Sequence, residues 1–180
     1  MLNTLAGIIA SSGGAAAGGS YESIATLTGN GTFTSIPSTY QHLQLRMLIR
    51  DGASAATGGA YLRFNGDTSS SYNWHYLIGN GSSASAGYTA TNYMNLGDIP
   101  ANTAASNTFG VLVVDILDYA NTNKFKTTRS LEGFDANGSG QAALFSGLWR
   151  NTAAITSIEC GGDSGSSISG TRIALYGIKG

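Results

Sequence analysis

Ser164, in the tetrapeptide Gly-Asp-Ser-Gly at 162 to 165, is the side chain of this sequence that most resembles a catalytic nucleophile. A serine nucleophile needs a histidine as general base, a carboxylate that orients the histidine, and an oxyanion hole. Side chains that could fill the first two roles precede the serine in the chain: His42, His75, Asp98, Asp115 and Asp118. This order would permit acyl transfer only if the fold brought three of these groups together.

The context of Ser164 argues against that chemistry. Trypsin-like proteases continue the motif with a second glycine, where this chain has Ser166, and neither histidine lies in a segment similar to that family's histidine motif. Only residues 165 to 180 follow the serine, too short a stretch for the strands that form the substrate pocket in that fold. We therefore predict that the chain is not an enzyme and that the tetrapeptide is a turn, in which Asp163 bonds its own backbone.

Two segments rich in Asp and Asn, 115 to 126 and 135 to 141, carry oxygen ligands of the kind that calcium prefers. Neither matches an EF-hand loop, because the first lacks the central glycine and the second leads to Ser146 where the bidentate glutamate should be. Hairpin tips use the same residues for Asx turns. We predict Asx turns here, with no metal and no cofactor.

The composition limits the remaining functions. A chain of 180 residues suits one domain, and a charged fraction of 11% with a net charge of -1 favours neither nucleic acid nor a membrane as a partner. The single cysteine, Cys160, cannot form an internal disulfide and is predicted to be a small apolar strand residue. The apolar opening is short and lacks a positive n-region, so we expect the chain to stay inside the cell that makes it.

Residues 1 to 20 differ from the rest of the chain. They combine the linker SSGGAAAGGS with four apolar residues: Leu2, Leu5, Ile8 and Ile9. Such a linker is flexible by composition. We predict an N-terminal Gly/Ala-rich arm at 1 to 20, whose apolar residues form an assembly interface, and one folded domain at 21 to 180.

The domain consists of short predicted strands separated by turns rich in Asn and Gly. In the segment 41 to 51 one face is apolar, with Leu43, Leu45, Met47 and Ile49. The other face is polar and should be wet, with His42, Gln44, Arg46 and Arg50. About ten such strands, without a helical segment of ten residues, predict an all-β jelly-roll β-sandwich of about eight to ten antiparallel strands with an extended N-terminal arm.

Aromatic residues are concentrated in the segment SSYNWHYLIG. Tyr72, Trp74 and Tyr76 share one face of the predicted strand, because side chains alternate with a period of two. One interpretation is a row that faces the core. The other is a platform on which a sugar ring stacks, with Asn and Asp side chains nearby.

Several segments together resemble tailed-bacteriophage virion structural proteins of about this length. They are YESIATLTGNGTFTSIPSTYQHLQLR, FNGDTSSSYNWHYLIGNGSS, DILDYANTNKFKTTRSLEGFDANGSG, SGLWRNTAAITSIE and the ending IALYGIKG. The resemblance covers nearly the whole chain after residue 20, and it implies no catalytic residue. Related phage jelly rolls serve as capsid decoration or cement proteins and also as tail or fibre modules.

The resemblance therefore implies a virion component that is assembled in the host cytoplasm. The first hypothesis is a decoration or cement protein that stabilises the head by bridging subunits of the major capsid protein. It would also contact copies of itself as a homotrimer. The alternative hypothesis is a tail or fibre module that binds a host surface glycan through Tyr72, Trp74 or Tyr76.

Overall fold

The computed structural model describes residues 20 to 180, and every regular element in that part of the chain is a β-strand. The twelve strands are β1 (Tyr21–Leu27), β2 (Gly31–Phe33), β3 (His42–Ile49), β4 (Thr57–Phe64), β5 (Tyr72–Gly79), β6 (Ala84–Thr91), β7 (Met94–Pro100), β8 (Gly110–Leu117), β9 (Lys126–Asp135), β10 (Gly140–Trp149), β11 (Ile158–Gly162) and β12 (Arg172–Ile178). The prediction of an all-β domain is confirmed. The described residues contain more strands than the eight to ten expected, and β6 is a strand that sequence reasoning missed.

The strands form two antiparallel sheets of unequal width. The large sheet has eight strands in the order β1-β12-β3-β8-β9-β10-β5-β6, and the small sheet has four in the order β2-β11-β4-β7. Buried residues of both sheets belong to one continuous hydrophobic core. The predicted two-layer β-sandwich is therefore confirmed.

Eight of the strands form a framework with four strands in each sheet, to which two hairpins are added. The strands β1, β12, β3 and β8 lie in one sheet and β2, β11, β4 and β7 in the other. Within this framework successive strands along the chain alternate between the sheets, apart from β4 and β7, which both lie in the small sheet. The hairpin β9–β10 and the hairpin β5–β6 both extend the large sheet beyond this eight-stranded framework. Of the arm predicted at residues 1 to 20, residues 1 to 19 lie outside the described residues.

The core is formed by alternating strand residues, as the sequence of β3 predicted. Leu43, Leu45, Met47 and Ile49 are all buried. Burying a side chain of this size stabilises the fold by about 1.5–3 kcal/mol, so this strand alone contributes strongly to the sandwich. Cys160 is buried in the same core, and burial raises the pKa of its thiol to about 12.

The polar face predicted for residues 41 to 51 is less exposed than its sequence suggests. Arg50 was expected on a solvated face, but it is buried. Its guanidinium donates hydrogen bonds to four backbone carbonyls, those of Asn102, Ala104, Ala105 and Thr108. The side chain therefore holds the loop between β7 and β8 against the sandwich. None of the elements described in residues 20 to 180 is a helix long and apolar enough to cross a bilayer.

Candidate functional sites

Ser164 lies in the loop between β11 and β12, where its hydroxyl donates a hydrogen bond of 2.5 Å to Asp51. The backbone NH of Gly165 donates to the carbonyl of Gly162 at 3.2 Å, and Gly165 has a positive φ of 84°. These features are those of the predicted turn. Asp163 uses its carboxylate differently from the prediction, because it accepts a hydrogen bond from the backbone of Gly59.

The two histidines have partners of their own. The Nδ1 atom of His42 accepts a hydrogen bond of 3.0 Å from the backbone NH of Asp118. The ring of His75 packs against Tyr88 with 4.7 Å between centroids. Within residues 20 to 180, the hydrogen bonds of Ser164 go to Asp51 and Ser166, so the described structure does not place the serine with a histidine.

The segments considered for calcium form turns. The backbone NH of Asn137 donates to Asp135 at 2.8 Å, and the backbone NH of Asn123 donates to Asn121 at 2.8 Å. The carboxylate of Asp118 pairs with Lys124. The predicted Asx turns are confirmed at these hairpin tips. Across the described part of the chain, His, Cys, Asp and Glu residues do not gather into a group of three that could hold a metal ion.

The outer face of the large sheet carries the first candidate surface. Strand register places Val113, Leu131, Leu144 and Leu77 side by side across β8, β9, β10 and β5. The next row of the same face begins with Leu48 and Val111. The positions that follow across the sheet are occupied by small residues: Gly133, Ala142 and Gly79. We name the six larger side chains the apolar band: Leu48, Leu77, Val111, Val113, Leu131 and Leu144.

The apolar band is open to solvent. Five of its six side chains are between 43% and 62% exposed, with Leu131 the most exposed. Single exposed leucines are common on protein surfaces, but a contiguous apolar patch marks an interaction surface. At the end of the band near β12, a hollow of about 270 Å³ lies between Arg46 and Arg172. Positive charge therefore lies at one end of an uncharged strip.

The second candidate surface arises because the large sheet is wider than the small one. The edge strand β7 of the small sheet packs against β8, β9, β10 and β5, so the inner face of β6 extends past it. Ser85 and Thr89 on this inner face are exposed. A cleft of about 240 Å³ opens between the overhanging strands and β7. Its lining residues are Trp74, Tyr76, Ile78, Ser85, Asn95, Asp98 and Phe145.

Aromatic rings form one wall of this cleft. Trp74 lies 5.9 Å from Tyr76 and 5.9 Å from Phe145, and Tyr76 stacks on Phe145 with 5.7 Å between centroids. A Cβ atom on Gly87 would come within 2.5 Å of the Tyr76 hydroxyl, so the glycine allows the tyrosine to lie against the backbone of β6. The rings therefore stand together on one side of the cleft.

The three aromatic residues of the predicted platform separate into two environments. Tyr72 is fully buried, and its ring stacks on Trp149 in the core. Its hydroxyl accepts a hydrogen bond of 2.9 Å from the backbone NH of Phe64. Tyr72 is thus a core residue, whereas Trp74 and Tyr76 are half-buried and line the cleft.

Polar groups from the small sheet form the opposite wall. The Oδ1 atom of Asn95 accepts a hydrogen bond of 2.8 Å from Gly97, which leaves its amide NH2 for another partner. Asp98 is half-buried, and no hydrogen bond from residues 20 to 180 reaches its carboxylate. Burial, with a smaller effect of Asp163, raises the pKa of Asp98. Behind this wall, Glu132 is buried with its pKa raised to about 7, mainly by burial.

A third hollow, of about 330 Å³ on the outer face of the small sheet, is lined by groups that pair with one another. Arg63 lies over the rings of Tyr61 and Tyr93 and pairs with Glu159 at 3.3 Å. The hydroxyl of Tyr61 donates to the same carboxylate at 2.7 Å. These groups satisfy one another, so this hollow offers less to a ligand than the cleft does.

Sequence reasoning found Trp74 and Tyr76 but missed Phe145, Asn95 and the apolar band, and it considered Asp98 only as a partner of a catalytic histidine. The alternation within β10 could have placed Phe145 on the face opposite Leu144. The remaining residues come together only through strand register and sheet width, which no local pattern encodes. Comparisons with protein-family models, with curated proteins and with solved structures found no match to this chain.

Proposed function

We propose that the chain is a structural protein of a bacteriophage virion that decorates the capsid and stabilises it as a cement protein. The observation that carries this proposal is the apolar band on the outer face of the large sheet. An exposed strip of aliphatic side chains across five strands needs a partner surface, because leaving it in water is unfavourable. An assembled shell provides such a surface in every copy.

The make-up of the band suits a permanent contact. Obligate interfaces are enriched in apolar residues and depleted of charge at their centre. Leu131, Leu144 and Leu77 are direct cross-strand neighbours, so the centre of the band is uncharged. The charged residues of this face lie outside the band, as in the pair Asp115 and Arg129 at 2.9 Å. We assign the band to the contact with the major capsid protein.

The proposed mechanism is mechanical. Each copy buries apolar area against neighbouring capsid subunits, and a ligand that binds only the assembled state stabilises it by mass action. The arm, with Leu2, Leu5, Ile8 and Ile9, would add a second contact on the shell or on an adjacent copy in a homotrimer. The arm precedes β1 in the sequence, and β1 is an edge strand of the large sheet, which also carries the band.

Quantitative mass spectrometry of purified phage heads and purified tails tests this proposal. We expect hundreds of copies per particle, confined to heads. A few copies to a few tens, confined to tails, would overturn the cement role. Absence of the chain from both would overturn the structural role altogether.

A further inference from the structure

We propose that the cleft between the overhanging hairpin β5–β6 and the edge strand β7 binds a neutral saccharide. This site is separate from the apolar band, because Trp74 and Tyr76 lie on the inner face of β5 and Leu77 lies on the outer face. The inference therefore does not depend on the proposed cement role. The cleft also differs from the platform predicted from the sequence. Tyr72 is not among its lining residues, whereas Phe145, Asn95 and Asp98 are.

The arrangement of rings and polar groups identifies the class of ligand. A pyranose ring has an apolar CH face that stacks on aromatic rings and a rim of hydroxyl groups that donate hydrogen bonds. The cleft is lined by Trp74 and Tyr76 from the large sheet and by the acidic residue Asp98 from the small sheet. Asn95 adds an amide NH2 that can donate to a sugar oxygen. The apolar face of a pyranose can therefore contact the aromatic rings while its hydroxyl groups bond to the polar residues.

Other ligand classes fit this cleft less well. A quaternary ammonium group is normally surrounded by aromatic rings, whereas these rings stand side by side on one wall. A phosphate or an acidic sugar would be repelled by Asp98, and no Lys or Arg is among the lining residues. A purely apolar ligand would leave the half-buried carboxylate without a partner, which is unfavourable. A neutral sugar avoids all three problems.

The size of the cleft sets the expected affinity. Its volume of about 240 Å³ lies just below the range of about 300–1,000 Å³ that is typical of small-molecule sites. One sugar unit, or two with the second partly exposed, would fill it. Ligands of so few atoms bind with a Kd on the order of 1 mM. Tight binding to a surface would then require several copies of the chain.

The chain has a built-in reporter for this site. It contains two tryptophans, of which Trp149 is fully buried in the core and Trp74 lines the cleft. We would titrate the full chain with the methyl glycosides of glucose, galactose, mannose and N-acetylglucosamine. Tryptophan fluorescence and saturation-transfer NMR would be recorded together. Methyl glucuronide serves as the acidic comparison, and we expect it to bind at least about tenfold more weakly.

Two variants locate the binding. Asp98→Asn should weaken binding at least about tenfold, because the charge-assisted hydrogen bonds are lost, and it should fold, because it removes a half-buried charge. Trp74→Phe should abolish the fluorescence response and weaken the NMR response. Asp135→Asn is the matched control, since this exposed residue ends β9 and is not among the residues that line the cleft, and it should bind as the unchanged chain does.

Three results would overturn the inference. The first is that no neutral glycoside of the panel gives saturable binding at about 20-fold the expected Kd. The second is that Asp98→Asn and Asp135→Asn bind equally well. The third is that methyl glucuronide binds more tightly than the neutral glycosides. Because the measurement uses the isolated chain, its failure would leave the head and tail copy numbers, and so the cement proposal, unaffected.

Discussion

Glu132 should make the stability of this domain depend on pH through a single buried carboxyl group. The side chain projects inward from β9 under Gly97 and is only 3% exposed. Its Oε1 atom accepts a hydrogen bond of 2.9 Å from Gln141, whereas Oε2 has no partner within the described part of the chain. Burial raises the pKa of Glu132 to about 7; the hydrogen bond from Gln141 opposes the rise, and the charge of Asp98 adds to it.

The sign and size of the effect follow from linkage between protonation and folding. A folded-state pKa above the ordinary value means that the folded chain favours the protonated carboxyl. The stabilisation is therefore complete below pH 4.5 and is lost as the pH rises through about 7. A difference of 1 between the folded and unfolded pKa values corresponds to about 1.4 kcal/mol, so the free energy of unfolding falls by about 3 kcal/mol as the pH rises. That is a large part of the total stability of an ordinary domain.

Urea unfolding of the unchanged chain and of Glu132→Gln, measured between pH 4.5 and 8, isolates this group. Glutamine has nearly the shape of the protonated acid and does not titrate in this range. The variant should unfold with nearly the same free energy at pH 4.5 and become more stable than the unchanged chain by about 3 kcal/mol at pH 8. Asp135→Asn, at an exposed carboxylate, should show no such divergence. Parallel pH curves for Glu132→Gln and the unchanged chain would refute the reasoning.

Other parts of the molecule yield four further predictions. Leu131→Lys, in the apolar band, should leave thermal unfolding unchanged but reduce the number of copies on the particle at least about tenfold in a competition assay. The control Thr32→Lys, on the outer face of the small sheet, should not reduce that number. Equal occupancy of the two variants would contradict the role of the band. Deletion of residues 1 to 19 should leave the domain folded by circular dichroism and abolish particle binding, and normal occupancy would refute the arm's role. Arg50→Ala should lower the free energy of unfolding by about 3 kcal/mol in urea, because four carbonyl contacts are lost; a change below about 0.5 kcal/mol would contradict this. Burial alone would raise the pKa of Asp67, but hydrogen bonds from two serines and a tryptophan hold it below its ordinary value of 3.8; Asp67→Asn should therefore cost more stability at pH 7 than at pH 2, and an equal cost would argue against those bonds.

The sequence predicted the all-β class because its strands are short and mostly alternate. In β3 the apolar residues Leu43 and Leu45 are buried on one face, as expected. In strand β9 the rule that apolar side chains face the core fails, because the inward side chains are polar and Leu131 faces outward. The inward groups find partners in neighbouring backbone: Ser130 donates to the carbonyl of Leu96 at 3.0 Å, and Lys126 donates to the carbonyl of Thr152 at 3.0 Å. Hydrophobic alternation cannot reveal such long-range partners.

The candidate sites were harder to predict than the fold. Strand β6 escaped detection because its small and polar residues show no apolar face, a consequence of its position at the uncovered edge of the large sheet. The environments of Tyr72 and Trp74 differ for the same reason. They are two residues apart on one face of β5, but Tyr72 is fully buried in the core, whereas Trp74 is only partly buried against it. Where a covering sheet ends depends on the widths of both sheets, which the local sequence does not contain.

Both candidate surfaces arise from the hairpins β5–β6 and β9–β10. Without them, the remaining strands would form two sheets of four, in which neither sheet overhangs the other. The added strands carry Leu77, Leu131 and Leu144 of the band on their outer face and the cleft's aromatic wall on their inner face. Alternation along β5 and β10 then keeps the two surfaces apart by the thickness of one sheet. The two proposals therefore assign a capsid contact to the outer face of the hairpins and a saccharide to the inner face, so a single substitution should disrupt one of these contacts and spare the other.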